Sequence, residues 1–396
     1  MLAQMGYDGL FIGRDDILDE FERAYKKTRE MLWRPSRDLG PAADIFTGLL
    51  PIGYATYPFM CFDSSCSDNP VIDNPDSDEY NLDLKIAEFL VYTQFEVAQF
   101  KTNNLIMTFG GDFQFANAKQ NFKNLDKLIY HVNQRQNVTN VNVFYSTPSC
   151  YLYSLYKSNK TWPLMTDDFV PYASKSHTYW TGFYTSRAAL KHFVRRSSNF
   201  LQALRQLVSF TSLNDNQTIA RINALERAMG VVQHHDAVSG TENQHVANDY
   251  SKRLASAILK SVDLVPSILG GVLKTNESLA PVYFCPLLNI SECLPIENSN
   301  SFRVIIYNPL ANELSSWVRI PLVTNDYVIR DVDNKSVPFD VVSIGSEVKS
   351  IPERSSKANY EMVFNADNLP GLGFRVFLLE KTTTKQKKLK KVVKGN

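Results

Sequence analysis

The chain of 396 residues carries 42 Lys and Arg against 41 Asp and Glu, so no global field recruits nucleic acid or an anionic membrane surface. With 44% hydrophobic and 12% aromatic residues it is long enough for two or three domains, each with its own core. The longest apolar run, Leu264 to Leu273, is broken by Pro266 and two glycines and falls short of bilayer length.

The N-terminus, Met1 to Gly6, lacks the basic and apolar regions of a signal peptide and runs straight into folded-looking sequence. Gly9 to Ile12 reads as a strand, Leu82 to Phe100 as a helix and Asn104 to Phe109 as a strand. Phe122 to Arg135 reads as a helix and Val141 to Tyr145 as a strand. This alternation predicts an α/β sheet or barrel over the first 160 residues or so. Long amphipathic helices follow at Arg187 to Ser212, Asn216 to Ala237 and Asn243 to about Leu264, which predicts a three-helix bundle. Past Pro281 the period changes to two. Phe302 to Tyr307, Trp317 to Leu322, Tyr327 to Val332, Phe339 to Ser343, Tyr360 to Phe364 and Gly373 to Leu379 read as short strands of a β-sandwich. The last sixteen residues hold seven lysines and no apolar period, the mark of a solvated disordered tail. The expected domains are therefore 1–165, 166–265 and 275–380, with a basic tail at 381–396.

Two stretches carry chemistry. Gln233-His234-His235-Asp236 puts two imidazoles beside a carboxylate in a chain with six histidines. The apolar spacing Ile219, Ile222, Leu225, Met229, Val232 places the pair on the last turn of a helix that Ser239-Gly240 stops. Neighbours on a helix point about 100° apart, so one histidine is expected as a metal ligand and the other as a packing or hydrogen-bonding neighbour. A helix C-terminus also favours histidine through its dipole whether or not anything binds. The second stretch is Gly110-Gly111-Asp112, after a predicted strand and flanked by Phe113 and Phe115. A carboxylate at a strand's C-terminal end suits catalysis, and aromatic neighbours would desolvate it toward a general acid. An N-cap for a helix from Phe113 accounts for Asp112 equally well.

Asn-x-Ser/Thr acceptors at Asn137, Asn159, Asn216, Asn276, Asn289 and Asn334 point to secretory-pathway ancestry. Cys61 with Cys66 and Cys285 with Cys293 bracket short loops suited to disulfides, which leaves Cys150 over.

Taken together, Gln4 to Arg14, Cys61-Phe62-Asp63 through Cys66, Gly111 to Phe115, Tyr145 to Cys150, His177 to Gly182 and Gln233 to Thr241 resemble the lysosomal branch of the family 38 α-mannosidases, in order, up to about Leu379. The resemblance implies a retaining hydrolase of terminal α-linked mannose that uses one zinc ion, acting on mannose-containing oligosaccharides in a lysosomal or secretory setting. Carried over by position, His235 matches the helical zinc ligand, which leaves His234 as its packing neighbour; Asp236 matches a carboxylate on mannose hydroxyls, Asp112 the acid/base, and Arg14 and Tyr54 sugar contacts. Cys61–Cys66 and Cys285–Cys293 match local bridges, and the partner expected for Cys150 lies near the family's mature N-terminus. The family's His-x-Asp zinc pair and its Asp-Pro-Phe-Gly-His-Ser nucleophile lie upstream of the matched segment. The resemblance thus supplies one zinc ligand of four and an acid without its nucleophile, in a barrel-like catalytic domain short of its N-terminal portion and in a chain truncated at both ends. An inactive carbohydrate-binding or interaction module is the alternative. After Arg14, Asp16-Ile17-Leu18-Asp19-Glu20 replaces the family's usual Asp-Tyr-Gln-Asp-Lys, and Gly111 replaces a bulkier polar residue.

Overall fold

The computed structural model describes residues 1–382 apart from 212, 214 and 274–280; the tail from residue 383 and the acceptor Asn276 lie outside the described residues. The chain divides into two compact units, Met1–Gly182 and Phe183 onward.

The first unit runs β1 (Gly9–Ile12), α1 (Ile17–Lys26), β2 (Glu30–Trp33), β3 (Ile45–Leu49), α2 (Leu82–Val97), α3 (Ala118–Gln134), α4 (Gln136–Thr139), α5 (Pro148–Lys157), β4 (Leu164–Met165), β5 (Ala173–Lys175) and β6 (Thr178–Tyr179). Its larger sheet has the order β1-β3-β2-β4. β3 lies parallel to β1, with Gly9 opposite Phe46, and antiparallel to β2, while β4 runs parallel to β2. The sheet is mixed and open, so the barrel-like expectation is corrected: among the described residues these four strands do not close on themselves.

The strands expected at 104–109 and 141–145 do not form either. Side chains satisfy the main chain where a ladder would have done so. Thr108 Oγ1 donates to the carbonyls of Gly53 and Ala55, and the Asn133 amide exchanges two hydrogen bonds of 2.8 Å with the backbone of Val143. The apolar residues of both stretches still reach the core, since Met107, Phe109, Val141 and Val143 pack on the cluster that α2 and α3 build from Ile86, Phe89, Leu128 and Val132. Two unexpected helices are locally encoded. Asp16 caps α1 by accepting from Leu18 N, and Thr147 caps α5 with Pro148 in its first turn.

Beside the sheet lies a buried charged group. Arg29 Nε donates to Gln99 Oε1 at 2.9 Å with Glu20 at 3.7 Å, and the Tyr151 hydroxyl donates to Glu30. Glu96 is fully buried, with no hydrogen-bond partner on either oxygen. Burial pushes its carboxyl up to about 8 against the pull of Arg29, and Glu30 up to about 7 against Tyr151 and Lys101.

The second unit opens with α6 (Ala188–Ser209), α7 (Asn216–Val231), α8 (Gln244–Val262) and α9 (Val265–Leu273). Leu190, Val194, Leu201, Leu204, Leu225, Met229, Leu254 and Ile258 recur at helical spacing and merge into one core. No single described helix is long and apolar enough to cross a membrane. β7 (Ser301–Asn308), β8 (Leu314–Leu322), β9 (Tyr327–Arg330), β10 (Phe339–Ser343), α10 (Ser346–Lys349), β11 (Tyr360–Leu369) and β12 (Gly373–Lys381) follow. They make two three-stranded sheets, β10-β11-β8 and β7-β12-β9, both antiparallel. Inward residues of both, including Ile320, Met362, Phe364, Phe377 and Leu379, share one buried cluster, with the Phe364 and Phe377 rings 5.0 Å apart. Lys381, expected in the tail, belongs to β12 and pairs with Tyr327.

Candidate functional site

In the first unit the fold brings together three residues far apart in sequence. Tyr54 donates its hydroxyl proton to Asp112 Oδ1 at 3.2 Å, and Arg14 Nη2 reaches the Tyr54 oxygen at 3.5 Å. Backbone contact sets this geometry. Gly53 has φ +63°, and a Cβ there would lie 2.8 Å from the Gly13 carbonyl oxygen; a Cβ on Gly13 would lie 3.1 Å from the Gly53 Cα. Only glycines let the two chains touch, and Arg14 and Tyr54 are the residues that follow them. Thr56 then stitches the Tyr54 loop to the Asp112 loop, its hydroxyl accepting from Gly110 N at 2.6 Å and donating to Gly110 O at 3.1 Å.

The Asp112 loop rests on the disulfide loop Cys61–Cys66. Gln114 Nε2 contacts both sulfurs, at 3.3 and 3.6 Å. Asp63, inside that loop, accepts from Asn121 Nδ2 at 2.8 Å, Phe115 N at 2.7 Å and Ser65 N at 3.0 Å. These donors, Asn121 foremost, hold its carboxyl well below the usual carboxylate range. Left-handed backbone at Phe113 (φ 63°) and Phe115 (φ 62°), rather than at Gly110 or Gly111, makes the turn.

Two expectations are corrected here. The aromatic neighbours do not cover Asp112, which is exposed, because Phe113 turns outward and is 92% exposed. The capping alternative also falls away, since α3 begins at Ala118 behind Asn117.

Two of the three rings around Arg14 had no individual role assigned from sequence. Its guanidinium carbon sits 5.1 Å from the Trp180 ring centre, 5.7 Å from Tyr172 and 5.9 Å from Tyr54. The β5–β6 hairpin presents both missed rings. Trp180 N donates to Tyr172 O, and Trp180 Nε1 to Ser174 Oγ at 3.0 Å. Trp180 was visible only inside the motif His177 to Gly182, more than 150 residues from Arg14, which no local pattern connects.

In the second unit, α7 ends at Val231, six residues before the expected end, and the histidines occupy a run of tight turns. Buried Val232 and Ala237 anchor this run in the helical core, while His234, His235 and Asp236 face outward. Off the helix the two rings are not held 100° apart; their centres lie 4.2 Å from one another. His234, expected as a packing neighbour, instead sits with Nε2 3.2 Å from Asp236 Oδ2 and is half-exposed. His235 Nε2 is 3.9 Å from the same oxygen, with its side chain 86% exposed. Thr241 Oγ1 donates to Asp236 Oδ1 at 2.9 Å and, with His234, lowers the Asp236 carboxyl. One ligand atom from each of these three residues lies within 4.8 Å of the others. Two imidazole nitrogens and a carboxylate oxygen are donors of the kind zinc takes, and these three residues could hold a metal ion.

Comparison with known proteins agrees along the chain. Residues 1–175 match the description "Glycosyl hydrolases family 38 N-terminal domain", and residues 178–270 match "Alpha mannosidase middle domain". The protein is 42% identical over 382 residues to the lysosomal alpha-mannosidase of Cavia porcellus, an alignment covering 95% of this chain and 36% of that protein. Against the Homo sapiens lysosomal alpha-mannosidase it is 42% identical over 383 residues, covering 95% and 37%. The Dictyostelium discoideum lysosomal alpha-mannosidase is 33% identical over 399 residues, covering 97% and 38%. The chain therefore spans well under half the length of these curated relatives. With two successive domain matches in order and relatives aligned over nearly all of its residues, the chain belongs to glycosyl hydrolase family 38.

Proposed function

We propose that the protein is an α-mannosidase by descent: a retaining, zinc-dependent hydrolase of terminal α-linked mannose in glycoprotein catabolism, of whose catalytic set this chain carries a part. The observation that carries the reading is the junction of Arg14, Tyr54 and Asp112 built on Gly13 and Gly53. Asp112 takes the acid/base role, giving a proton to the leaving oxygen and recovering one from water. Tyr54 orients that carboxyl through its hydroxyl, and Arg14 adds positive charge beside it. The faces of Tyr172 and Trp180 offer apolar surface to a sugar ring.

His235 and Asp236 are the residues we assign to metal and mannose hydroxyls, with His234 as a third donor within reach. Zinc bound there supplies fixed positive charge that orients vicinal hydroxyls. Retention also needs a second carboxylate about 5 Å from the acid as nucleophile, and among the described residues we assign none to that role. We therefore expect mannoside recognition with at most trace turnover.

In this reading residues 1–165 form the catalytic portion, 166–265 with α6 to α8 a helical bundle, and 275–380 with the two facing sheets a β-sandwich. The lysosomal relatives and the acceptors among Asn137 to Asn334 support a lysosomal or secretory setting.

Calorimetric titration of the chain with methyl α-mannoside in the presence of zinc tests the proposal. Binding that Arg14→Met and Asp236→Asn each weaken at least tenfold is expected. Equal response to the α-glucoside, or indifference to both substitutions, sinks it. Zinc-dependent release of 4-nitrophenol from its α-mannoside that Asp112→Asn abolishes would overturn the expectation of an incomplete catalytic set.

A further inference from the structure

We propose that Lys191 is a positioning residue for the His234–His235–Asp236 turn, acting through the Ser239 peptide; this rests on the reading of that turn as a metal and hydroxyl site. Lys191 lies one turn into α6, and its Nζ donates to two carbonyls, Ser186 O at 2.5 Å and Ser239 O at 2.7 Å. One acceptor precedes α6 and the other ends the histidine turn, so a single ammonium ties the two chain segments together. The tie continues to the site. Ser239 Oγ donates to the His235 carbonyl and lies 3.0 Å from Thr241 Oγ1. Thr241 Oγ1 in turn donates to Asp236. Lys191 thus holds the peptide of the residue whose hydroxyl grips the His235 carbonyl.

Two further features show that the junction is tight. Gly240 has φ +79°, and a Cβ there would lie 2.5 Å from Ser186 O, the same carbonyl Lys191 grips. Arg187 fastens the far side, with Nη2 on Glu242 O at 2.8 Å and Nη1 on Gln244 Oε1 at 2.6 Å. A charge-assisted hydrogen bond to a carbonyl is among the stronger ones, and outer partners of metal ligands typically govern affinity by 10- to 100-fold.

The test is zinc affinity of the full chain, measured by competition with a chromogenic chelator, for wild type, Lys191→Met, Lys191→Arg and Gly240→Ala. Lys191→Met keeps the aliphatic stem and removes both donors, and a tenfold or greater loss is expected with an altered absorption band when cobalt replaces zinc. Lys191→Arg, which retains donors, restores most of the affinity. Gly240→Ala, which opens the junction from the other side, shows the same loss and covers the case in which Lys191→Met does not fold. Folded Lys191→Met or Gly240→Ala with wild-type affinity and cobalt spectrum overturns the proposal. A wild-type chain that binds no zinc refutes the metal reading instead. The clamp is then judged by hydrogen exchange of the Ala237 to Thr241 amides, at least tenfold faster in Lys191→Met if it holds and unchanged if it does not.

Discussion

Glu96 makes the stability of the first unit depend on pH in an unusual direction. Its carboxyl is fully buried without a hydrogen bond and is pushed from 4.5 to about 8, chiefly by burial and against the pull of Arg29. A raised carboxyl pKa means that the folded state holds the proton after the unfolded chain has lost it. The contribution is intact below pH 4.5 and declines as pH rises through about 8. One unit is worth about 1.4 kcal/mol, so ionisation of Glu96 alone weakens the unit by on the order of 5 kcal/mol across that window. Glu30, raised to about 7, steepens the same slope. Urea unfolding from pH 4.5 to 8.5, followed through the fluorescence of Trp33, Trp162 and Trp180, measures it. The midpoint should fall steadily with pH in the wild type, while Glu96→Gln, uncharged throughout, should match it near pH 4.5 and surpass it by several kcal/mol at pH 8.5. A wild-type midpoint that is flat or rising, or a Glu96→Gln slope identical to it, would show that Glu96 is solvated or paired in solution.

Other expectations follow from the same contacts. Gly53→Ala forces a side chain into left-handed backbone against the Gly13 carbonyl and should destabilise the chain by about 1–3 kcal/mol in urea titration; Gly6→Ala, at φ +87° with nothing within 4 Å, bears only the backbone part of that cost. Tyr54→Phe removes the hydrogen bond to Asp112 while keeping the ring beside Arg14, so mannoside affinity should drop several-fold with the thermal midpoint unchanged. Asp63→Asn loses the charge that three donors share, and the thermal midpoint should fall together with mannoside binding as the Asp112 loop loosens. Because that carboxyl is depressed, its contribution is complete above the ordinary carboxylate range near pH 4 and is lost only as pH falls below it.

The regular parts of the fold were legible because their periods are strong. Met362, Phe364 and Ala366 alternate with less buried neighbours, and Leu190, Val194, Leu201 and Leu204 recur on one face, so β11 and α6 fall close to where the pattern put them. Stretches 104–109 and 141–145 misled because buried apolar residues look alike whether a strand or a side-chain amide satisfies their backbone. Asn133, which replaces the ladder for Val143, lies ten residues away and carries no local mark of that role. At the candidate site, Asp112 stood out by its place after a predicted strand and Arg14 and Tyr54 came from resemblance, but their meeting could not be read from spacings of 40 and 58 residues. The histidine turn was misread for a more local reason. Apolar spacing through Val232 continues a helix on paper, but Val232 and Ala237 satisfy the core from a turn as well as from a helix.

The contact of Gly13 with Gly53 has a consequence for substitution at the site. Main chain touching main chain fixes the separation of the two arms, so the side chains at positions 14 and 54 carry no part of that scaffolding. Arg14 or Tyr54 can therefore be exchanged for other groups, changing what the junction presents, while the distance between the arms stays set by two residues that have no side chain to vary.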